Sequence, residues 1–325
     1  MVHAIWRNYP EIETALYDVK KIIHDELAIS SPSVSNKIRE YVDAPGKYTR
    51  AGLCLMFAKL NYKKLPKEIL YVAAGIEMLH LATLIHDDVI DEADNRRGIQ
   101  GLHKTHSNRI AIYAGDYLLA YSGRLFKKAH KLFEGESIDD WVMERILDGE
   151  ISQLQNQFEP SISIYQYLRQ IRGKTAILFA LATYSGTAHP EVSRFKRRQA
   201  FYIGLEIGMA FQLSDDLIDY KIDQTASGKP QLQDVQNGIY TAPLILAMQE
   251  NDFNHSLLFS RGHLWSENQL NDLVIELNKF EVFDKTEGFV KAYLNKALSK
   301  MDKFSKRKEM NDIKELLSVV MKRNF

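Results

Sequence analysis

A chain of 325 residues, 45% apolar and 26% charged, has ample material for a packed core and none of the bias of a disordered or fibrous protein. Basic and acidic residues number 42 each, so bulk charge favours neither nucleic acid nor an anionic membrane; an anion site must come from local clusters. The single cysteine, Cys54, excludes an internal disulfide framework and fits a reducing cytoplasm.

The first stretch, MVHAIWRNYPEIETALYDVKK, has polar and charged residues throughout and no apolar h-region, and reads as no secretory signal. Within EIETALYDVKKIIHDEL, Ile12, Leu16, Val19, Ile22, Ile23 and Leu27 form one helical stripe. AAGIEMLHLATLIHDDVID is apolar almost all round, as a helix buried in a bundle should be, and FYIGLEIGMAFQLSDDLIDY has the same character. Turn signals fall at APGKY, NRRG, EGES, AHPE, TASGKP and QNG. No strand-like alternation stands between hairpin turns, and no segment reads as a linker. Apolar runs such as TAILFALATYSGTA are too short to span a bilayer. The expectation is one all-α domain over residues 1–325, with ten or more helices, cytoplasmic and without an integral membrane segment.

One motif occurs twice. IHDDVID, Ile85 to Asp91, returns as LSDDLID, Leu213 to Asp219, each time at the end of an apolar helix. Asp87 and Asp91 are four apart, hence neighbours on one face with Cβ atoms ~5–6 Å apart. Asp88 lies about 100° round the helix. Asp215, Asp219 and Asp216 repeat the arrangement. Like charges at this spacing oppose each other, and at a helix C-terminus the macrodipole opposes them as well. A solvated acidic helix end would explain one such motif; two favour a compensating divalent cation. Mg²⁺ takes one or two carboxylates and completes its shell with water and substrate phosphates. Two such sites fit a diphosphate.

Positive charge follows at Arg96 and Arg97, and recurs at PGKYTR (Lys47, Arg50), IRGKTA (Arg172, Lys174) and SGKP (Lys229). Each alone could be an exposed, solvated side chain. Guanidinium groups match phosphate oxygens, and turns at helix starts present backbone N–H groups to anions. A metal-bridged anion site and a metal-free basic one emerge.

These residues carry a resemblance. HDDVID with RRG, SNRIAIYAGDYLLA, RGKTA, FQLSDDLIDY and SGKP stand in the order and spacing of the all-trans polyprenyl diphosphate synthases. Within them the chain is most similar to the catalytic large subunit (component II) of bacterial two-component hexaprenyl and heptaprenyl diphosphate synthases. The likeness runs from about Pro45 to Pro243, and the terminal MKRNF is also typical. It implies the isoprenoid synthase type I fold, a single large helical bundle around a deep central cavity. Asp87, Asp88, Asp91, Asp215, Asp216 and Asp219 would hold Mg²⁺, three ions in all, on an allylic diphosphate. Arg96, Lys174, Thr175, Gln212 and Lys229 would contact that diphosphate, and Lys47, Arg50, His80 and Arg97 isopentenyl diphosphate. The partner would be a second copy or a small non-catalytic subunit.

The chain also departs from the family. The first basic motif usually reads Gly-Gly-Lys-Arg-x-Arg-Pro; in PGKYTRA, Tyr48 replaces an arginine, and Pro45 and Ala51 differ as well. Lysine and last arginine remain, so a weaker grip on the homoallylic diphosphate is expected rather than loss. After SGKP, Leu232 stands for the family's glycine and Ile239 for a basic or polar residue.

The chemistry that follows is head-to-tail elongation. Charge building on the departing diphosphate is met by metal and by Arg96, Lys174 and Lys229. The allylic cation needs a dry apolar pocket, Thr175 and Gln212 can orient it, and the freed proton goes to the diphosphate. Product length is expected to be set upstream of Asp87 by Ala82, Met78 or Leu79, and Gly75. These lie ~7.5, ~12–14 and ~18 Å from it along the helix. Short-chain synthases tend to carry an aromatic at the position of Ala82; alanine predicts a product longer than farnesyl diphosphate.

Other classes remain open at this level. His80 on its apolar helix, taken without the resemblance, reads first as a core histidine. His86 beside Asp87 invites an HD-type metal phosphohydrolase, which leaves FQLSDDLID without a role. A class I terpene cyclase would carry an Asn/Asp-Ser/Thr-Glu second motif. A non-catalytic subunit would usually have lost some of the six aspartates.

Overall fold

The helices predicted from apolar spacing are present in a computed structural model. It describes residues 2–96, 98–133, 139–220, 232–259, 262–263 and 265–322. In chain order the first helices are α1 (Pro10–Glu26), α2 (Pro32–Asp43), α3 (Thr49–Lys59), α4 (Lys67–Ile90), α5 (Leu102–Thr105) and α6 (Asn108–Lys128). There follow α7 (Asp139–Gln155), α8 (Ile164–Ile171), α9 (Ile177–Gly186) and α10 (Arg194–Asp219). The last are α11 (Gln233–Gln236), α12 (Ala242–Met248), α13 (Glu267–Leu277), α14 (Val282–Phe304) and α15 (Lys308–Lys322). The fold is all-α. Among the described residues the one small exception is a hairpin that the sequence did not announce, β1 (Asn95–Arg96) against β2 (Ile99–Gln100), antiparallel with Asn95 opposite Gln100.

Two compact units divide the chain. One holds Met1–Trp141, Leu178–Phe201 and Phe304–Leu316; the other holds Val142–Ile177, Tyr202–Lys303 and Leu317–Phe325.

In the first unit α4 is the central element. Its apolar residues point in all directions, and Ile69, Val72, Ile76, Leu79 and Ala82 have no exposed surface. It lies against α6 at two close approaches. The Phe126 ring of α6 covers Gly75, where a Cβ would come to 3.0 Å of it; His86 of α4 covers Gly115, where a Cβ would come to 2.3 Å. An 18-residue stretch of α4, of mean hydropathy 1.5, is apolar and long enough to cross a membrane, and 61% of it is buried inside the protein. The run is hard to see in the sequence because Glu77 and His80 interrupt it without lowering its average hydropathy.

In the second unit α8 opens on a capping box. The Ser163 hydroxyl accepts the Gln166 N–H, and the Gln166 side chain accepts the Ser163 N–H. The helix then widens into a π-helical turn, Arg172–Ala176, before α9 continues it. Such turns displace side chains from the regular helical register and recur at functional sites.

Candidate active site

The first aspartate motif closes α4. The Asp91 N–H bonds to the Asp87 carbonyl at 2.8 Å, the Ala93 N–H to the Asp88 carbonyl at 3.1 Å, and Glu92 takes the left-handed conformation that stops the helix (φ 52°). Three carboxylates thus gather at the negative end of the helix dipole. The hairpin β1–β2 brings a cation back to them. Arg96 Nε donates to Oδ1 of Asp88 at 2.7 Å, and Nη2 makes an ion-pair contact with the same oxygen at 2.6 Å. Asp88 is only 2% exposed and its Oδ2 has no hydrogen bond, whereas Asp87 is half-buried and Asp91 exposed.

The basic loop lies in the same unit. Trp6 Nε1 donates to the Lys47 carbonyl at 2.6 Å, and Tyr48, left-handed at φ 50°, turns its hydroxyl inward to the Val42 carbonyl at 2.5 Å. The start of α3 is fixed on α4, where Glu77 accepts the Ala51 N–H at 3.0 Å. One turn on, His80 Nε2 lies 3.1 Å from Arg50 Nη1, and the guanidinium stacks 4.7 Å from the Phe179 ring centre. Arg50 and His80, both predicted for one site, are therefore in contact.

The second unit holds the second motif. Its position is set by a close approach: a Cβ on Gly208 would lie 2.5 Å from Cα of Ala176, so α10 rests directly on the π turn. One turn along α10, Gln212 Oε1 accepts from the Thr175 hydroxyl at 2.6 Å, and Gln212 Nε2 donates to Asp216 Oδ1 at 2.6 Å. Tyr167 of α8 donates its hydroxyl to the other oxygen, Oδ2. Asp216 is 3% exposed. Burial pushes its carboxyl up to about 7, while the bonds from Tyr167 and Gln212 pull the other way. Tyr167 is raised well above the usual tyrosine range, first by burial and then by the neighbouring carboxylate. Asp215 is exposed. Asp219 is half-buried, its carboxyl raised by burial, and its oxygens accept the N–H groups of Gln233 (3.0 Å) and Asp234 (3.1 Å).

Lys174 pairs with Glu150 of α7 at 2.7 Å. The contact depends on Gly149, because a Cβ there would lie 2.4 Å from the Lys174 amide nitrogen. Leu232 sits at φ 41°, in the region that favours glycine, so the family's glycine at this place has a backbone reason. Arg97 and Lys229 lie outside the described residues.

Of the expected length-setting residues, Met78, Leu79 and Ala82 are at most 1% exposed, and Gly75 meets Phe126. His86 is engaged on α6, 3.3 Å from Asp116 and 3.2 Å from the Ile112 carbonyl. Among the described residues no three His, Cys, Asp or Glu side chains converge to hold a metal. The donors present still fit Mg²⁺: hard carboxylate oxygens, exposed at Asp91 and Asp215 and half-buried at Asp87, suit an ion that leaves most of its shell to water and phosphate.

Sequence reasoning missed Tyr167, Glu150 and Glu77. Tyr167 had a usable signal: it stands seven and eight residues before Lys174 and Thr175, two helical turns away.

Residues 31–263 match the model of the polyprenyl synthetase family. The chain belongs to that family. It is a prenyltransferase, an enzyme with the isoprenoid synthase type I fold. Heptaprenyl diphosphate synthase component 2 of Bacillus subtilis is 28% identical over 90% of this chain and 84% of its own. The crystal structure of geranylgeranyl pyrophosphate synthase from Lactobacillus brevis superposes with a TM-score of 0.89 at 29% identity, covering 98% of this chain and 99% of that one. A polyprenyl synthase from Caulobacter crescentus, complexed with calcium and isoprenyl diphosphate, gives 0.87 at 26% identity over 100% and 99%. A divalent metal with a prenyl diphosphate has thus been seen in a related synthase.

Proposed function

We propose that this synthase condenses geranyl, farnesyl or geranylgeranyl diphosphate with isopentenyl diphosphate to give products longer than farnesyl diphosphate, in the geranylgeranyl to heptaprenyl range. One observation carries the assignment of the site. In both motifs the middle aspartate, Asp88 or Asp216, is buried and hydrogen-bonded by packed neighbours, while Asp87 and Asp219 are half-buried and Asp91 and Asp215 face solvent. A solvated acidic helix end has no use for this arrangement twice over.

Asp87, Asp91, Asp215 and Asp219 hold the metal, with Asp88 and Asp216 setting the geometry of their helix ends. Bound Mg²⁺, three ions with the allylic diphosphate, supplies positive charge against the leaving group. Arg96 and Lys174 meet the same charge, and each is held in advance by a carboxylate, Asp88 or Glu150, so little reorganisation is needed. Lys229 joins them. Thr175 and Gln212, locked to each other, present oxygen dipoles to the allylic cation. Lys47, Arg50, His80 and Arg97 hold isopentenyl diphosphate so that its double bond attacks, and the proton leaves with the diphosphate. Residues 1–325 work as one domain in the cytoplasm.

The component 2 name of the Bacillus relative supports a second reading for assembly. The chain acts with a small non-catalytic subunit rather than as a homodimer. Mass analysis of products from farnesyl and isopentenyl diphosphates with Mg²⁺, with and without a candidate small subunit, tests both points. Phosphate release from the allylic substrate alone, without elongation, would instead indicate a hydrolase.

A further inference from the structure

The least expected charge in the first unit is Lys20. It sits on α1 with 6% of its surface exposed, and its Nζ makes no hydrogen bond. Its nearest acid is Asp43, at 3.6 Å, too far for a hydrogen bond; that carboxylate is 60% exposed and also faces His24 Nε2 at 3.2 Å. Glu77 is the other carboxylate that acts on it. An ammonium taken out of water with so little compensation is costly, so its position calls for a reason.

Its surroundings give one. Nζ lies 5.1 Å from the centre of the Tyr48 ring, which offers it a π face because the hydroxyl is turned away to Val42. Tyr48 follows Lys47 directly. Glu77, which feels the ammonium, also accepts the Ala51 N–H next to Arg50. The lysine therefore stands behind the loop that carries Lys47 and Arg50, at the position of the loop that has itself no cation.

We infer that Lys20 is a positioning residue of the isopentenyl diphosphate site, a third positive charge that acts on the diphosphate through the Lys47–Arg50 loop. The inference rests on the reading of Lys47, Arg50 and His80 as that site. In surroundings of low dielectric its field is screened far less than that of a surface lysine. Asp43 partly neutralises it, so the strength of the device is set by that pair. The rival account is a plain structural tie between α1 and α2 through Asp43.

Steady-state kinetics with both substrates, alongside melting temperatures, separate the two, using the assembled enzyme with any subunit it needs. Lys20→Met is expected to raise KM for isopentenyl diphosphate several-fold, with kcat and KM for the allylic substrate little changed. Tyr48→Arg added to it should restore KM. Asp43→Asn, at an exposed position that folding tolerates, should lower KM for isopentenyl diphosphate by releasing the charge. A Lys20→Met enzyme with altered melting but unaltered KM, or an Asp43→Asn enzyme with unchanged KM, overturns the inference. Arg50→Ala is the control. If it raises KM while the other two do nothing, the site stands and Lys20 has no part in it; if it too leaves KM unchanged, the site reading fails and the inference with it.

Discussion

Arg96 places two guanidinium nitrogens, at 2.7 and 2.6 Å, on a single oxygen of Asp88, whose other oxygen is buried without a hydrogen bond. The arginine thus has its direction fixed before any substrate arrives. Arg96→Ala would strand a buried carboxylate and should cost about 3 kcal/mol of stability, in the range for breaking a buried pair from one side. It should also lower kcat. Urea unfolding measures the first effect; an unchanged midpoint would show that the pair is not formed.

Tyr167 and Gln212 together occupy both oxygens of Asp216. Tyr167→Phe removes one donor without changing shape and should cost about 2 kcal/mol, as for a hydrogen bond to a buried charged group. The loosened carboxylate should raise the Mg²⁺ concentration needed for half-maximal activity. Metal titration of the variant checks this, and an unaltered requirement would reduce Tyr167 to a packing role.

Ala82 is fully buried on the helix face it shares with Gly75, upstream of Asp87, where Phe126 of α6 covers the glycine. Ala82→Phe should shorten the product, and Phe126→Ala should lengthen it by removing the ring packed on Gly75. Mass spectrometry of extracted products reads both. No change in length in either variant would refute this face as the ruler.

Cys54 has no exposed surface, and burial pushes its thiol far above the usual range. A colourimetric thiol reagent should therefore titrate no cysteine in the native enzyme and one after unfolding. Rapid native reaction would contradict the packing of α3 described here.

The motifs were legible because the i, i+4 spacing of aspartates is local: Asp87 with Asp91 and Asp215 with Asp219 fall on one face wherever the helix lies. The burial of Asp88 and Asp216 was not legible. It depends on partners from other elements, Arg96 on a two-residue strand and Tyr167 on α8, and strands that short carry no periodic signal. The π turn at RGKTA was hidden for a similar reason, since it arises where Gly173 and Gly208 let α7 and α10 approach its backbone. Arg50 and His80 were paired only through resemblance; the geometry that unites them is the docking of α3 on α4 through Glu77.

The most direct test of the account is product formation by the wild-type enzyme and by Asp87→Ala and Asp215→Ala, with Mg²⁺, farnesyl diphosphate and isopentenyl diphosphate. Wild type should yield polyprenyl diphosphates longer than farnesyl, and each variant should lose at least about a hundredfold in rate, about 2.7 kcal/mol of transition-state stabilisation. Full elongation activity in either variant would contradict a metal-held diphosphate at these aspartates.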